Sequence, residues 1–126
     1  MQTIEIPPRA WPQALDAFTA AHEGWLISID VLASDLGAQH EVCDRPLVGI
    51  VAEPRAGNGT ITISVAGPGG ADQTTHTVHS PTRVRVERTD QGADVAMQIE
   101  SAEQTTTIVR FRTPAMPETV DGMVQP

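Results

Sequence analysis

The 126-residue chain contains no lysine and no tyrosine, and all eight of its basic residues are arginine. The lack of lysine reflects genomic base composition or surface style and does not itself indicate a function. Aromatic residues are only 3%, namely Trp11, Phe18, Trp25 and Phe111. There is a single cysteine, Cys43, so an internal disulfide framework is excluded. No run approaches the roughly 18 consecutive apolar residues that span a bilayer. No N-terminal stretch combines a basic end, an apolar centre and a cleavage site, so no signal peptide is expected. Positive charge is scarce: sixteen acids stand against the eight arginines, a formal net charge of -8. A chain so acidic repels nucleic-acid phosphates and anionic lipid heads, which argues against nucleic acid and membrane as partners.

With 40% hydrophobic and 19% charged residues the composition is that of a globular protein. The length suits one domain, able to bury about two thirds of its unfolded surface without a staple or a metal. The charge is uneven. Residues 1–53 hold eight acids and two arginines, whereas residues 54–126 hold eight acids and six arginines.

Residues 1–8 read as an N-terminal arm or edge strand, with Ile4 and Ile6 alternating with Thr3 and Glu5. Residues 9–23 read as a helix. Trp11, Leu15, Phe18 and His22 recur on one helical face, Pro12 suits the first turn, and Gly24 suits the C-terminal cap. The apolar period then changes to two. Trp25, Ile27, Ile29 and Val31 alternate with Leu26, Ser28, Asp30 and Leu32. Residues 38–43 are expected to form a short strand broken by Asp44-Arg45-Pro46. Leu47–Glu53 then reads as a central strand, apolar on both sides. Ile61, Ile63 and Val65 give the clearest alternation, followed by the Thr-rich Gln73–His79. Val84 and Val86, then Val95, Met97 and Ile99, then Thr107, Val109 and Phe111 mark three more strands. Residues 113–126 form a Pro-containing tail. The expectation is a mainly β protein. Its N-terminal helix precedes a six- or seven-stranded antiparallel meander over 25–112, forming a strongly bent sheet or a small barrel capped by the helix.

Few residues carry chemistry. Gly67-Pro68-Gly69-Gly70 lacks the following helix of a phosphate cradle and reads as a hairpin loop. His40-x-x-Cys43 and His76-x-x-His79 are four weak candidate zinc ligands in two pairs. Residues three apart on a strand point to opposite faces, so a turn or bulge would be needed for either pair to converge. No metal site and no cofactor are therefore expected. Arg83, Arg85, Arg110 and Arg112 alternate along two strands. They form either a solvated face paired with nearby acids or a binding face for a partner, and they are the candidate binding residues. No aromatics interleave with them for base stacking. Ser28 and Asp30 share a strand face, but no spacing assembles a catalytic triad, so an enzyme is not the favoured reading. Cys43, beside Glu41 and Asp44, has an acidic setting that raises a thiol pKa, and reads as a small buried or half-buried side chain.

A set of short segments has a wider resemblance. Trp11-Pro12 opens the helix. His22-Glu23-Gly24-Trp25-Leu26 leads into the first long strand, with Asp35-Leu36-Gly37-Ala38-Gln39 after it. Pro81-Thr82-Arg83-Val84-Arg85, Arg110-Phe111-Arg112 and Pro117-Glu118-Thr119-Val120-Asp121-Gly122 complete the set. Together they resemble a family of short bacterial proteins classed as a domain of unknown function, over about residues 4–124. The resemblance implies a bacterial, cytoplasmic protein and brings no activity, cofactor or catalytic residue. The favoured expectation is a non-catalytic module that binds an unknown protein partner or itself. The alternative is a small-molecule-binding protein or enzyme with a pocket between helix and sheet.

Overall fold

In the computed structural model, residues 1–35, 37–53, 59–67 and 72–112 are described. The chain opens with strand β1 (Gln2–Ile6) and a 3₁₀ turn, Pro8–Ala10, and continues into helix α1 (Trp11–His22). Seven strands follow: β2 (Leu26–Ala33), β3 (Gly37–Glu53), β4 (Thr60–Ala66), β5 (Gln73–His79), β6 (Pro81–Arg88), β7 (Asp94–Ser101) and β8 (Thr105–Arg112). All pairings are antiparallel, and the order across the sheet is β1-β6-β7-β8-β2-β3-β4-β5.

Two meanders, β2 to β5 and β6 to β8, are joined side by side where β8 pairs with β2. This order forces the curvature. Strands β5 and β6 are consecutive in the chain, separated by Ser80 alone, yet they lie near opposite ends of the sheet. Only a strongly bent sheet brings those ends within one residue of each other. Ser80 makes the corner at φ 52°. Its N–H donates to the Gly59 carbonyl at 3.1 Å and its carbonyl accepts from Ala102 N–H at 2.9 Å. The Ser101 hydroxyl adds a bond to the His79 carbonyl at 2.7 Å.

Of the two forms expected, the bent sheet is the one that forms, and it is not closed into a barrel. The physical reason lies in the N-terminal arm. The edge of β6 that would have to accept β5 is already taken by β1, with Ile4 opposite Val86 and Glu5 opposite Arg85. The strand count is therefore seven after the helix and eight in all.

A second correction concerns β3. Asp44-Arg45-Pro46 does not end a strand. The chain stays extended from Gly37 to Glu53, and Asp44 adopts φ 50° at an irregularity in the ladder. What changes there is the partner: residues 37–46 pair with β2, and residues 47–53 pair with β4. One strand thus belongs to both halves of the sheet and carries the bend between them. Its second half is less apolar on both sides than expected, because Val51 remains 44% exposed.

Folding the sheet brings its inner faces together. Ile27, Ile29, Val84, Val86, Met97, Ile99 and Val109 from one half meet Leu47, Ile50, Ile61, Ile63, Val65 and Val78 from the other in one cluster. The helix adds Leu15 and Phe18 to it, at the spacing that marks one helical face. Three contacts seat α1. Thr19 Oγ1 accepts from Ile50 N–H at 2.9 Å and donates to Ile50 O at 3.1 Å, standing in for a strand partner along β3. Trp11 Nε1 donates to the Ile6 carbonyl at 2.9 Å. Gly24, at φ 85°, ends the helix and donates to the Leu47 carbonyl.

Candidate functional site

The alternation of β6 and β8 sends Arg83, Arg85, Arg110 and Arg112 to the outer face, away from Val84, Val86 and Val109. The four arginines do share one face. Each also meets a carboxylate there: Arg83 with Glu5 at 3.6 Å, Arg85 with Glu100 at 3.1 Å, Arg110 with Asp30 at 3.6 Å and Arg112 with Asp44 at 3.4 Å. The arginines and acids compensate one another, so the face is charged but balanced.

At one end of this face Asp30 bridges an imidazole and a guanidinium. Its Oδ1 lies 2.5 Å from His40 Nδ1, and its Oδ2 lies near Arg110. Ser28, Val42 and Cys43 line the same shallow depression. The Asp–His half of a nucleophilic triad is thus present. Among the described residues, however, His40 makes no hydrogen bond to Ser28 or to Cys43, and Ser28 Oγ instead accepts from Asp44 N–H at 3.2 Å. Cys43 is exposed, contrary to the buried or half-buried setting expected. The first half of β3 runs beyond the core, where Val42 turns inward and Cys43 turns out to solvent.

Of the four weak metal candidates, His40 and Cys43 line one depression, and His76 and His79 lie apart from them on β5. His40 pairs with Asp30 on the outer face. On β5, His76 lies on the same side as buried Val78, whereas His79 lies on the other. Among the described residues no group of three or more His, Cys, Asp or Glu side chains is placed to hold an ion. The His76 imidazole is held below its ordinary pKa by burial, which the nearby negative charge of Glu41 partly opposes.

Sequence reasoning missed a second cluster, on the inner side. His22, near the end of α1, is almost completely buried. Its ring stacks on Phe18 with centroids 4.2 Å apart, meets Trp25 edge-on at 4.6 Å, and lies 5.2 Å from Phe111. Three of the chain's four aromatic residues therefore wall one histidine. Nδ1 lies 2.8 Å from the Phe18 carbonyl, which can only accept, so Nδ1 carries a proton. Nε2 lies 3.2 Å from Asp94 Oδ2, a contact that takes one further proton on the ring or on the carboxyl. The other oxygen of Asp94 accepts from Arg88 Nε at 2.6 Å.

The three side chains come from α1, β6 and β7. Arg88 and Asp94 are cross-strand partners at the end of the β6–β7 ladder. They border a groove of about 360 Å³ between α1 and the β1–β6 pair, walled by Ile4, Ile6, Ala14, Ala17, Ala21 and Val86. The available signal was parity. Arg83 and Arg85 occupy outward positions, but Arg88 falls on the inward set with Val84 and Val86, and His22 falls on the apolar face of its helix. Charged groups at core-facing positions need partners.

No helix among the described residues is long and apolar enough to cross a membrane. No curated protein and no solved structure matches the chain. Residues 2–120 match the family model DUF5335, a family of unknown function, and the match spans the segments from Trp11-Pro12 to Arg110-Phe111-Arg112 set around the fold described above: the chain belongs to the DUF5335 family.

Proposed function

We propose that the protein is a non-catalytic self-association module of the bacterial cytoplasm whose copies join edge to edge through β5. The observation that carries this reading is that β5 ends the strand order, with no strand paired to its outer side among the described residues. Sheet edges are open templates for another strand, and proteins ordinarily blunt them with charge, proline, a bulge or short length. The other edge, β1, has five residues, includes Glu5, and runs into Pro7 and Pro8. Strand β5 has seven residues, Gln-Thr-Thr-His-Thr-Val-His, with no Asp, Glu, Arg, Pro or Gly. Its ladder with β4 is unbroken from Ala66–Gln73 to Thr60–His79.

The strand suits pairing with a second copy of itself. Antiparallel pairing about a two-fold axis at His76, its middle residue, sets Thr75 of one copy opposite Thr77 of the other. Threonine pairs stabilise a ladder, with no like charges opposed. A seven-residue ladder is a small interface, so association depends on concentration.

Light scattering coupled to size exclusion tests it. Wild type is expected to shift from monomer to dimer as concentration rises. Thr75→Lys/Thr77→Lys, which opposes lysines across the axis, is expected to stay monomeric. Mixing it with Thr75→Glu/Thr77→Glu restores the dimer. A wild type that remains monomeric at millimolar concentration overturns the reading.

A further inference from the structure

We infer that the groove between α1 and the β1–β6 pair is a binding site for a small amphipathic carboxylate, with its hydrocarbon chain along the apolar walls and its head group on Arg88. This inference is independent of the self-association reading, which concerns the opposite edge of the sheet.

The volume sets the size of the ligand. About 360 Å³ lies at the small end of ligand pockets and holds about a dozen non-hydrogen atoms at liquid-like packing. The walls set its polarity. Ile4, Ile6 and Val86 form one side and the alanines of α1 the other. Ala17 and Ala21 are exposed, and Ile4 is 36% exposed, so apolar surface at the groove still faces water. Burying such surface under a hydrocarbon chain is favourable in proportion to the area covered.

The charged end sets the head group. Asp94 has one oxygen on His22 and the other on Arg88, so its charge is already engaged. Arg88 donates to Asp94 through Nε, and among the described residues neither of its Nη atoms donates a hydrogen bond. Its side chain is 40% exposed at the groove. The two Nη groups offer the planar fork that receives a carboxylate with two parallel hydrogen bonds. An ammonium head would meet the free side of a guanidinium and be repelled. The nearby Asp90 does not reverse this preference, because it is paired with the N-terminal amine of Met1 at 2.7 Å.

Decanoate, with twelve non-hydrogen atoms, is the probe, and 1-decanol and decyltrimethylammonium are the head-group controls. All are titrated below their aggregation concentrations and read by Trp25 fluorescence and by amide chemical-shift mapping. Decanoate is expected to bind saturably, one per chain, with shifts centred on Ile4, Ala17, Ala21 and Arg88. Binding of either control is expected to be at least tenfold weaker. Arg88→Gln is expected to weaken decanoate at least tenfold. Because that change also touches Asp94, Ala17→Leu/Ala21→Leu provides a second test. It fills the groove from exposed helix positions, leaves the core alone, and is expected to abolish binding. Lack of saturation, equal affinity for the alcohol or the ammonium, shifts centred elsewhere, or undiminished binding by the groove-filled variant would each overturn the inference.

Discussion

The molecule contains two clusters made from the same three residue types. On the outer face Asp30 bridges His40 and Arg110; on the inner side Asp94 bridges His22 and Arg88. The two aspartates are about equally sheltered, with side chains 12% and 15% exposed. Their histidines differ completely. The side chain of His40 is 81% exposed and that of His22 is 5% exposed. Water solvates His40 in every state, so its pairing adds little. His22 is walled by Phe18, Trp25 and Phe111, and among the described residues its polar partners are the Phe18 carbonyl and Asp94. Identical chemistry is thus peripheral in one place and structural in the other, and burial alone makes the difference.

Removing each bridging carboxylate gives the sharpest contrast. Asp94→Ala is expected to cost about 3 kcal/mol, because it leaves the buried His22 Nε2 without its acceptor and removes the Arg88 Nε bond as well. Asp30→Ala is expected to cost about 1 kcal/mol, because His40 and Arg110 turn to water. Urea denaturation of the two variants measures both, and equal losses would break the distinction. A double-mutant cycle sharpens it. The His40–Asp30 coupling is expected to be below about 1 kcal/mol and to fade in 1 M salt, whereas the His22–Asp94 coupling persists there. Single changes of Arg83 or Arg112 to Ala are expected to cost about 0.5 kcal/mol or less each, since their pairs are exposed.

The smallest expected effect belongs to His76. Its pKa is lowered in the folded protein by burial, so the unfolded chain binds the proton first as pH falls. Stability is therefore expected to decline as pH drops through and below the ordinary histidine value of about 6.5. The loss is complete only once the folded-state pKa has been passed. His76→Gln is expected to remove that part of the slope, as followed by denaturant midpoints between pH 7 and pH 5. An unchanged slope would show that burial of His76 plays no part in the acid response.

Much of this arrangement was legible in local pattern. The spacing of Leu15, Phe18 and His22 located the buried face of α1, and the alternation of Val84 and Val86 with Arg83 and Arg85 separated core from outer face. Pro12 and Gly24 marked the helix ends, because one lacks an N–H and the other tolerates positive φ. The break expected at Asp44-Arg45-Pro46 was misleading for a clear reason. A residue at φ 50° and a proline look alike in sequence whether they end a strand or let it change partners. Parity exposed Arg88 as an inward charge, but nothing near it in sequence indicated which helix residue it would approach. The hairpin loop around Gly67–Gly70 and the tail 113–126 fall largely or wholly outside the described residues.

The sequence by itself determined the classes of element, the approximate ends of most of them, and which residues of the clearly alternating strands face inward. These follow from backbone periodicity, which is a local property. Tertiary structure decided the neighbours: β8 against β2, β1 against β6, and hence an open bent sheet instead of a barrel. It also decided that His22, Arg88 and Asp94 would meet. Strand pairing is a long-range choice among many competing edges, and a period of two is the same whichever partner a strand takes. The inner cluster exists only because that choice folds β6 and β7 beneath the end of the helix.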